Sequence, residues 1–139
     1  MIFATETIAL GSLVLVDTSV WIDYFRKKDP AYSKVDNLME EEEVGICRLI
    51  IAELLQGAKG SKEIEIILDL PCVFPVIDEL SDTWEKTGLL ANQLRGQGIT
   101  IGLADCYLAT LAHQNNVRIF SHDSHFRMIK SFTQINLLE

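Results

Sequence analysis

Cysteine is scarce in this sequence, and its spacing argues against two kinds of crosslinked site. The 139 residues include three cysteines, Cys47, Cys72 and Cys106, with no close CxxC pair. A disulfide framework would pair its cysteines, and a zinc site would bring its ligands closer together in the sequence. We therefore expect buried structural thiols in a reducing cytosol.

Long apolar runs are absent as well. No run reaches the roughly 18 residues that a membrane-spanning helix needs, and the N-terminus lacks the basic region of a signal peptide. We therefore expect a cytoplasmic protein without a membrane partner.

Basic residues are outnumbered by acidic ones. The sequence has 12 Lys and Arg against 20 Asp and Glu, a formal net charge of -8. This balance argues against nonspecific binding to a polyanion, although bound divalent cations would cancel part of the charge locally. Two basic groups either receive a phosphate backbone or are solvated surface: Arg26, Lys27 and Lys28, and Arg118, Arg127 and Lys130.

The most informative segment is Leu13 to Phe25, with the sequence LVLVDTSVWIDYF. Its apolar start is typical of a buried strand in a parallel sheet, and Asp17 follows at the carboxyl end, where ligands bind in open α/β sheets. Alternatively, Asp17 precedes a helix that Thr18 or Ser19 caps.

Three further acids lie at comparable positions. Glu53 falls in a predicted helix, Arg48 to Ala58, on a side away from the buried stripe. Asp105 lies near the start of a second helix, Leu103 to Asn115, and Asp123 follows a predicted strand. The remaining elements alternate between helix and strand, which implies a parallel sheet. The predicted helices are Ala31 to Met39, Lys62 to Leu70, one that opens at a capping box of Asp82 and Glu85 and stops near Gly96, and Ser124 to Lys130. The predicted strands are Val44 to Cys47, Val73 to Ile77, Val117 to Ser121 and Gln134 to Leu138. Pro75 predicts that Val73 to Ile77 is an edge strand.

Together these segments resemble the PIN-domain ribonucleases, most closely the VapC-like toxins of toxin-antitoxin pairs. The matching motifs are VDTSVWIDYF (Val16 to Phe25), IAELLQGA (Ile51 to Ala58), GLADCYLATLA (Gly102 to Ala112) and IFSHDSHF (Ile119 to Phe126). The resemblance implies an α/β three-layer sandwich, with a central parallel sheet of strand order 3-2-1-4-5 and helices on both faces. That order would bring Asp17 and Asp123 together. We expect a PIN domain over Leu13 to Glu139, after an N-terminal extension over Met1 to Ser12.

Four clustered carboxylates imply a metal site, because without cations their mutual repulsion would leave some of them protonated. Asp17, Glu53, Asp105 and Asp123 could hold one or two Mg²⁺ or Mn²⁺ ions. One ion would lower the pKa of an attacking water, and the other would stabilise the leaving oxygen of a phosphodiester. Thr18, Ser19 and Ser121 are supporting candidates, through hydrogen bonds around the acids.

The resemblance further implies RNA as substrate, a small antitoxin as partner and a homodimer. Two alternatives remain open at this stage: an aspartyl-nucleophile phosphatase and a catalytically degenerate PIN-like interaction module. Ser19 stands where a haloacid-dehalogenase-like phosphatase would have a second Asp, and the presence of all four acids disfavours a degenerate module. Asp23 is interpreted as a surface residue, His122 either touches phosphate or is ordinary surface, and His113 and His125 are assigned no role.

Overall fold

The computed structural model describes residues 12–133 and 135–138 of the chain. The predicted N-terminal extension, Met1 to Ser12, therefore lies outside the described residues except for Ser12. In chain order the elements are β1 (Val14–Val16), α1 (Thr18–Phe25), α2 (Ala31–Glu40), β2 (Val44–Gly45), α3 (Arg48–Gly57), α4 (Ser61–Val73), α5 (Thr83–Gly96), α6 (Leu103–Asn115), β3 (Arg118–Phe120), α7 (His125–Lys130) and β4 (Asn136–Leu137).

The four strands form one parallel sheet in the order β2-β1-β3-β4, with helices packed around it. In the central pair, Val14 aligns with Arg118 and Val16 with Phe120. The carboxyl ends of β1 and β3 therefore lie side by side. This arrangement confirms the predicted α/β class and the central place of the Asp17 strand.

The predicted edge strand Val73 to Ile77 is reduced to a single parallel bridge between Ile46 and Val76. This bridge lies beyond β2, which is the place of strand 3 in the order 3-2-1-4-5. Pro75 has no N–H group to donate, so the hydrogen bonds at this bridge use only the Pro75 carbonyl and the N–H groups of neighbouring residues. Helix α4 also runs through Pro71 to Val73 instead of ending at Leu70 as predicted.

The centre of the sheet is buried because β1 is apolar throughout. Leu13, Val14, Leu15 and Val16 are all inaccessible to solvent or nearly so. Trp21 of α1 is fully buried as well, and its ring stacks on Phe25 at a centroid distance of 5.7 Å. Truncation of such a core aromatic to alanine typically costs about 3–5 kcal/mol, so α1 is fixed firmly on the sheet.

The cysteines fit the expectation of structural thiols only in part. Cys47 and Cys106 are buried, whereas Cys72 is exposed, because it lies on an outer side of α4. Among the described residues, no helix combines the length and apolar character required to cross a bilayer.

Candidate active site

Asp17 lies where β1 ends and α1 begins. Its backbone N–H donates to the Phe120 carbonyl at 2.9 Å, which ties it to the end of β3. Its side chain makes no capping hydrogen bond to α1, although Asp17 occupies the N-cap position. The carboxylate instead accepts hydrogen bonds from Ser121 Oγ at 2.6 Å and from Ser19 Oγ at 3.4 Å. The alternative in which Thr18 or Ser19 caps the helix does not match this geometry, because Asp17 itself occupies the N-cap position and Ser19 Oγ donates to its carboxylate.

Burial raises the pKa of Asp17, because only 7% of the residue is exposed and water cannot solvate the charge. Hydrogen bonds from the Ser121 hydroxyl and the Thr18 backbone lower the pKa of this carboxyl in part. The negative charges of Asp105 and Glu53 raise it further. Asp105 and Glu53 are therefore close enough to Asp17 for their charges to act on it.

Glu53 reaches the site from the middle of α3. Its Oε1 atom accepts a hydrogen bond from Thr18 Oγ1 at 2.7 Å, across 35 positions of the sequence. The helix buries Ile50 and Leu54 on its inner side, which leaves Glu53 only partly buried. Thr18 therefore couples the first turn of α1 to the acid on α3.

Asp123 follows β3 and is joined to Asp17 through one hydroxyl group. Ser121 Oγ donates to Asp17 and also accepts the backbone N–H of Asp123 at 2.9 Å. This double role fixes the loop after β3 against the end of β1. Ser121 is thus the residue that brings the two strand-end acids into one site.

Asp105 lies in the first turn of α6 and meets Asp123 at a histidine. His125 Nδ1 lies 2.8 Å from Asp105 Oδ2 and 3.3 Å from Asp123 Oδ1. Candidate ligand atoms of these three residues all lie within 4.8 Å of one another. The hydrogen bond to Asp105 raises the pKa of His125.

The sequence interpretation assigned His125 no role, and the structure brings it into the cluster of acids. The available signal was its position two residues after Asp123, at the start of a short helix. His122 lies at the rim instead, with Nε2 3.1 Å from Asp23 Oδ2. Asp23 therefore has a histidine partner outside the cluster of four acids.

The donor set of the site suits a hard divalent cation. The charges of Asp105 and Glu53 act on Asp17, and the side chains of Asp105 and Asp123 both contact His125. Carboxylate oxygens are the ligand type that Mg²⁺ and Mn²⁺ favour. The hydroxyls of Ser19, Ser121 and Thr18 hold two of these acids in place. The residues present therefore fit the metal that such an arrangement implies.

A cavity of about 490 Å³ opens beside Glu53. Its apolar wall comes from α1, α3 and α4 and consists of Ile22, Phe25, Leu54, Ile66 and Ile67. Charged side chains also line it: Arg26, Lys59, Lys62 and Glu63. The cavity thus joins an apolar surface to one of the acids.

Comparison with known proteins identifies the family. The family model described as PIN domain matches residues 14–131. Ribonuclease VapC11 of Mycobacterium tuberculosis is 28% identical over 128 residues, which cover 88% of this chain and 96% of that protein. Ribonuclease VapC1 of Methanocaldococcus jannaschii is 28% identical over 125 residues, which cover 87% of this chain and 84% of that protein.

Solved structures agree on the fold. VapBC2 from Rickettsia felis, bound to a DNA fragment from its promoter, matches with a TM-score of 0.73 and 20% identity, covering 91% of this chain and 97% of that one. VapBC-1 from nontypeable Haemophilus influenzae matches with a TM-score of 0.70 and 24% identity, with the same coverage of 91% and 97%. With the family model matching most of its length, the chain belongs to the PIN-domain family.

Proposed function

We propose that this PIN domain is a metal-dependent endoribonuclease that acts as the toxin of a toxin-antitoxin pair. The observation that carries the proposal is the hydroxyl link through Ser121, which joins the acids at two adjacent strand ends. Similarity to proteins named ribonuclease VapC gives the reaction class. Together they support hydrolysis of RNA phosphodiester bonds.

Asp17, Glu53, Asp105 and Asp123 would hold Mg²⁺ or Mn²⁺. Bound divalent ions supply Lewis-acid activation of water and stabilisation of charge on the scissile phosphate and leaving oxygen. Ser121 and Ser19 orient the Asp17 carboxylate, and Thr18 orients Glu53. The chain's own contribution is therefore to hold these carboxylates in fixed positions.

Purified protein is expected to cleave RNA with Mg²⁺ or Mn²⁺ and to stop when EDTA is added. Asp105→Asn is expected to abolish cleavage, because it removes a charged ligand. Asp69→Asn, which removes one charge from the exposed side of α4, serves as the matched control and should retain activity. Equal cleavage in EDTA, or equal cleavage by both variants, would contradict the proposal.

The cavity beside Glu53 supports an antitoxin segment as a partner. Its apolar wall suits the apolar face of a short helix, and its position beside Glu53 lets a basic side chain of the same segment approach that acid. One structural neighbour is described as a toxin-antitoxin complex from Klebsiella pneumoniae, and another as a member of the VapBC family of toxin-antitoxin systems from Mycobacterium tuberculosis. The occupant we propose is therefore a segment of a small antitoxin.

The antitoxin is testable by co-expression with the small protein that an adjacent reading frame would encode. The pair should elute as one complex, and Ile66→Asp in the cavity wall should break the complex. Leu89→Asp, on an exposed part of α5, is the control and should leave the complex intact. Equal association of both variants would place the partner elsewhere.

A homodimer is part of the same proposal. Trp84 is 51% exposed and stacks on Tyr107 at 4.4 Å, and Leu80, four residues earlier, is 53% exposed. A second copy could cover these apolar groups. Light scattering at micromolar concentration should give the mass of two chains, and Trp84→Ser should shift the protein to one; a monomer at the outset would contradict the proposal.

A further inference from the structure

His125 occupies the space between two of the acids in the site. Its Nδ1 atom lies 2.8 Å from Asp105 Oδ2 and 3.3 Å from Asp123 Oδ1. Its backbone N–H also donates to Asp123 Oδ1 at 2.9 Å. Phe126 and Ile129 are buried, so α7 is anchored in the core and holds the imidazole in this place.

The spacing of these donor atoms matches that of neighbouring ligands around one ion. Ligands about 2.1 Å from an octahedrally coordinated ion are separated from their neighbours by about 3.0 Å, which is the bond length multiplied by the square root of two. The two distances to His125 Nδ1 lie on either side of this value. The imidazole nitrogen, when it carries no proton, is itself a metal ligand.

We propose that His125 Nδ1 is a direct ligand of the ion held by Asp105 and Asp123, and that the site prefers Mn²⁺ over Mg²⁺. The inference rests on the metal dependence in the proposed function. The preference follows from the donor set, because imidazole nitrogen binds transition ions better than it binds Mg²⁺, which favours oxygen ligands. Sites made of carboxylates alone lack this source of discrimination.

The same contacts would also suit a different role, in which a protonated His125 only neutralises the two acids. The two roles predict opposite effects of removing the imidazole. Loss of a ligand weakens metal binding, whereas loss of a competing cation strengthens it. The sign of the change in affinity therefore separates them.

His122 provides a matched control. It also lies against a carboxylate, with Nε2 3.1 Å from Asp23 Oδ2, and its side chain is 38% exposed against 42% for His125. It lies three residues before His125, in the loop that precedes α7, and its imidazole pairs with Asp23 and is not part of the cluster formed by Asp105, Asp123 and His125 among the described residues. His122→Ala thus removes an imidazole that has similar exposure and also contacts a carboxylate, but lies outside the cluster.

Calorimetric titration of Mn²⁺ and Mg²⁺ into metal-free protein at pH 8 tests the inference. His125→Ala is expected to weaken Mn²⁺ binding by about tenfold or more, since the loss of a side chain that supports a metal site typically lowers metal affinity by at least this factor. The change in Mg²⁺ affinity should be smaller. His122→Ala is expected to change neither affinity. Pulsed electron paramagnetic resonance of the unsubstituted protein with Mn²⁺ should show coupling to an imidazole ¹⁴N nucleus, which needs no variant to fold.

Unchanged or tighter Mn²⁺ binding by a folded His125→Ala protein, or absence of ¹⁴N coupling, would overturn the inference. EDTA-sensitive cleavage would then persist, so the proposed function would stand without it. Failure of the unsubstituted protein to bind either ion would overturn both this inference and the proposed metal dependence.

Discussion

Replacement of Asp17 by asparagine separates the proposed catalytic role of this carboxylate from its effect on stability. Asp17 is buried, and its charge lies near those of Asp105 and Glu53. Asparagine keeps the shape of the side chain and one oxygen that can accept the Ser121 hydroxyl. The substitution therefore removes the charge while leaving the packing at the end of β1 in place.

Two opposing contributions set the expected change in the free energy of unfolding. A pair of carboxylates about 5 Å apart repels by roughly 3 kcal/mol at an effective dielectric constant of about 20, an upper figure before protonation and ions relieve it. Against this, a hydrogen bond to a charged group contributes about 1.5–3 kcal/mol, compared with about 1 kcal/mol for a neutral pair. We expect metal-free Asp17→Asn to be as stable as the unsubstituted protein or more stable.

The pH dependence has a defined sign. Burial raises the pKa of Asp17 in the folded state, so the folded protein binds more protons than the unfolded chain in the interval above the unfolded pKa. The free energy of unfolding contributed by this carboxyl therefore falls as the pH rises through that interval. Any increase in the free energy of unfolding caused by Asp17→Asn should be largest at neutral pH and should vanish in acid.

Urea denaturation in EDTA, followed by the same measurement with Mg²⁺, provides the assay. Mg²⁺ at about 100 times its dissociation constant should stabilise the unsubstituted protein by roughly 2.7 kcal/mol if one ion binds only the folded state. Asp17→Asn should gain much less and should not cleave RNA. Destabilisation of the metal-free variant by several kcal/mol, together with residual cleavage, would show that Asp17 is a structural residue and would refute this reasoning.

Three further predictions concern other parts of the chain. Thr18→Val removes the hydroxyl that holds Glu53, so it should lower the free energy of unfolding by about 1 kcal/mol in urea denaturation and should reduce RNA cleavage. Thr18→Ser keeps the hydroxyl and should preserve both the stability and the cleavage. Iodoacetamide at pH 8 should modify exposed Cys72 and leave Cys47 unmodified, because burial raises the pKa of the Cys47 thiol to about 11. Mass spectrometry measures the labelling, and equal labelling of the two cysteines in folded protein would argue against this prediction. Removal of residues 1–11, which precede the family match at residues 14–131, should leave the melting temperature and cleavage nearly unchanged, and a large loss of stability would contradict the proposed domain boundary.

The elements that carry the four acids could be predicted from the sequence because their signals are local. The apolar run before Asp17 and the helical pattern around Glu53 determine where each strand or helix lies. The expectation that the four acids come together followed only from the parallel topology and the family resemblance. The structure confirms the central strand pair through the register of Val16 with Phe120.

The place of His125 beside Asp105 could not be derived from sequence periodicity, because it depends on a contact across the fold. Its distance to Asp105 joins residues 20 positions apart on two different helices, and no periodicity encodes such a contact. The edge strand around Val76 was predicted to be longer than it is, for a related reason. An apolar segment with high strand propensity still needs a paired neighbour with free hydrogen-bonding groups, and Pro75 leaves only a single bridge.

The basic residues divide into two groups once their contacts are known. Arg118 pairs with Glu43 at 3.7 Å and donates to the Ser12 carbonyl, so part of its hydrogen-bonding capacity is already used within the fold. Arg26 and Lys62 instead line the cavity beside Glu53. An RNA backbone that reaches the acids from this side would meet those cations, and an antitoxin segment in the cavity would cover them. Inhibition would then follow from loss of substrate contacts even without a basic side chain inserted among the acids.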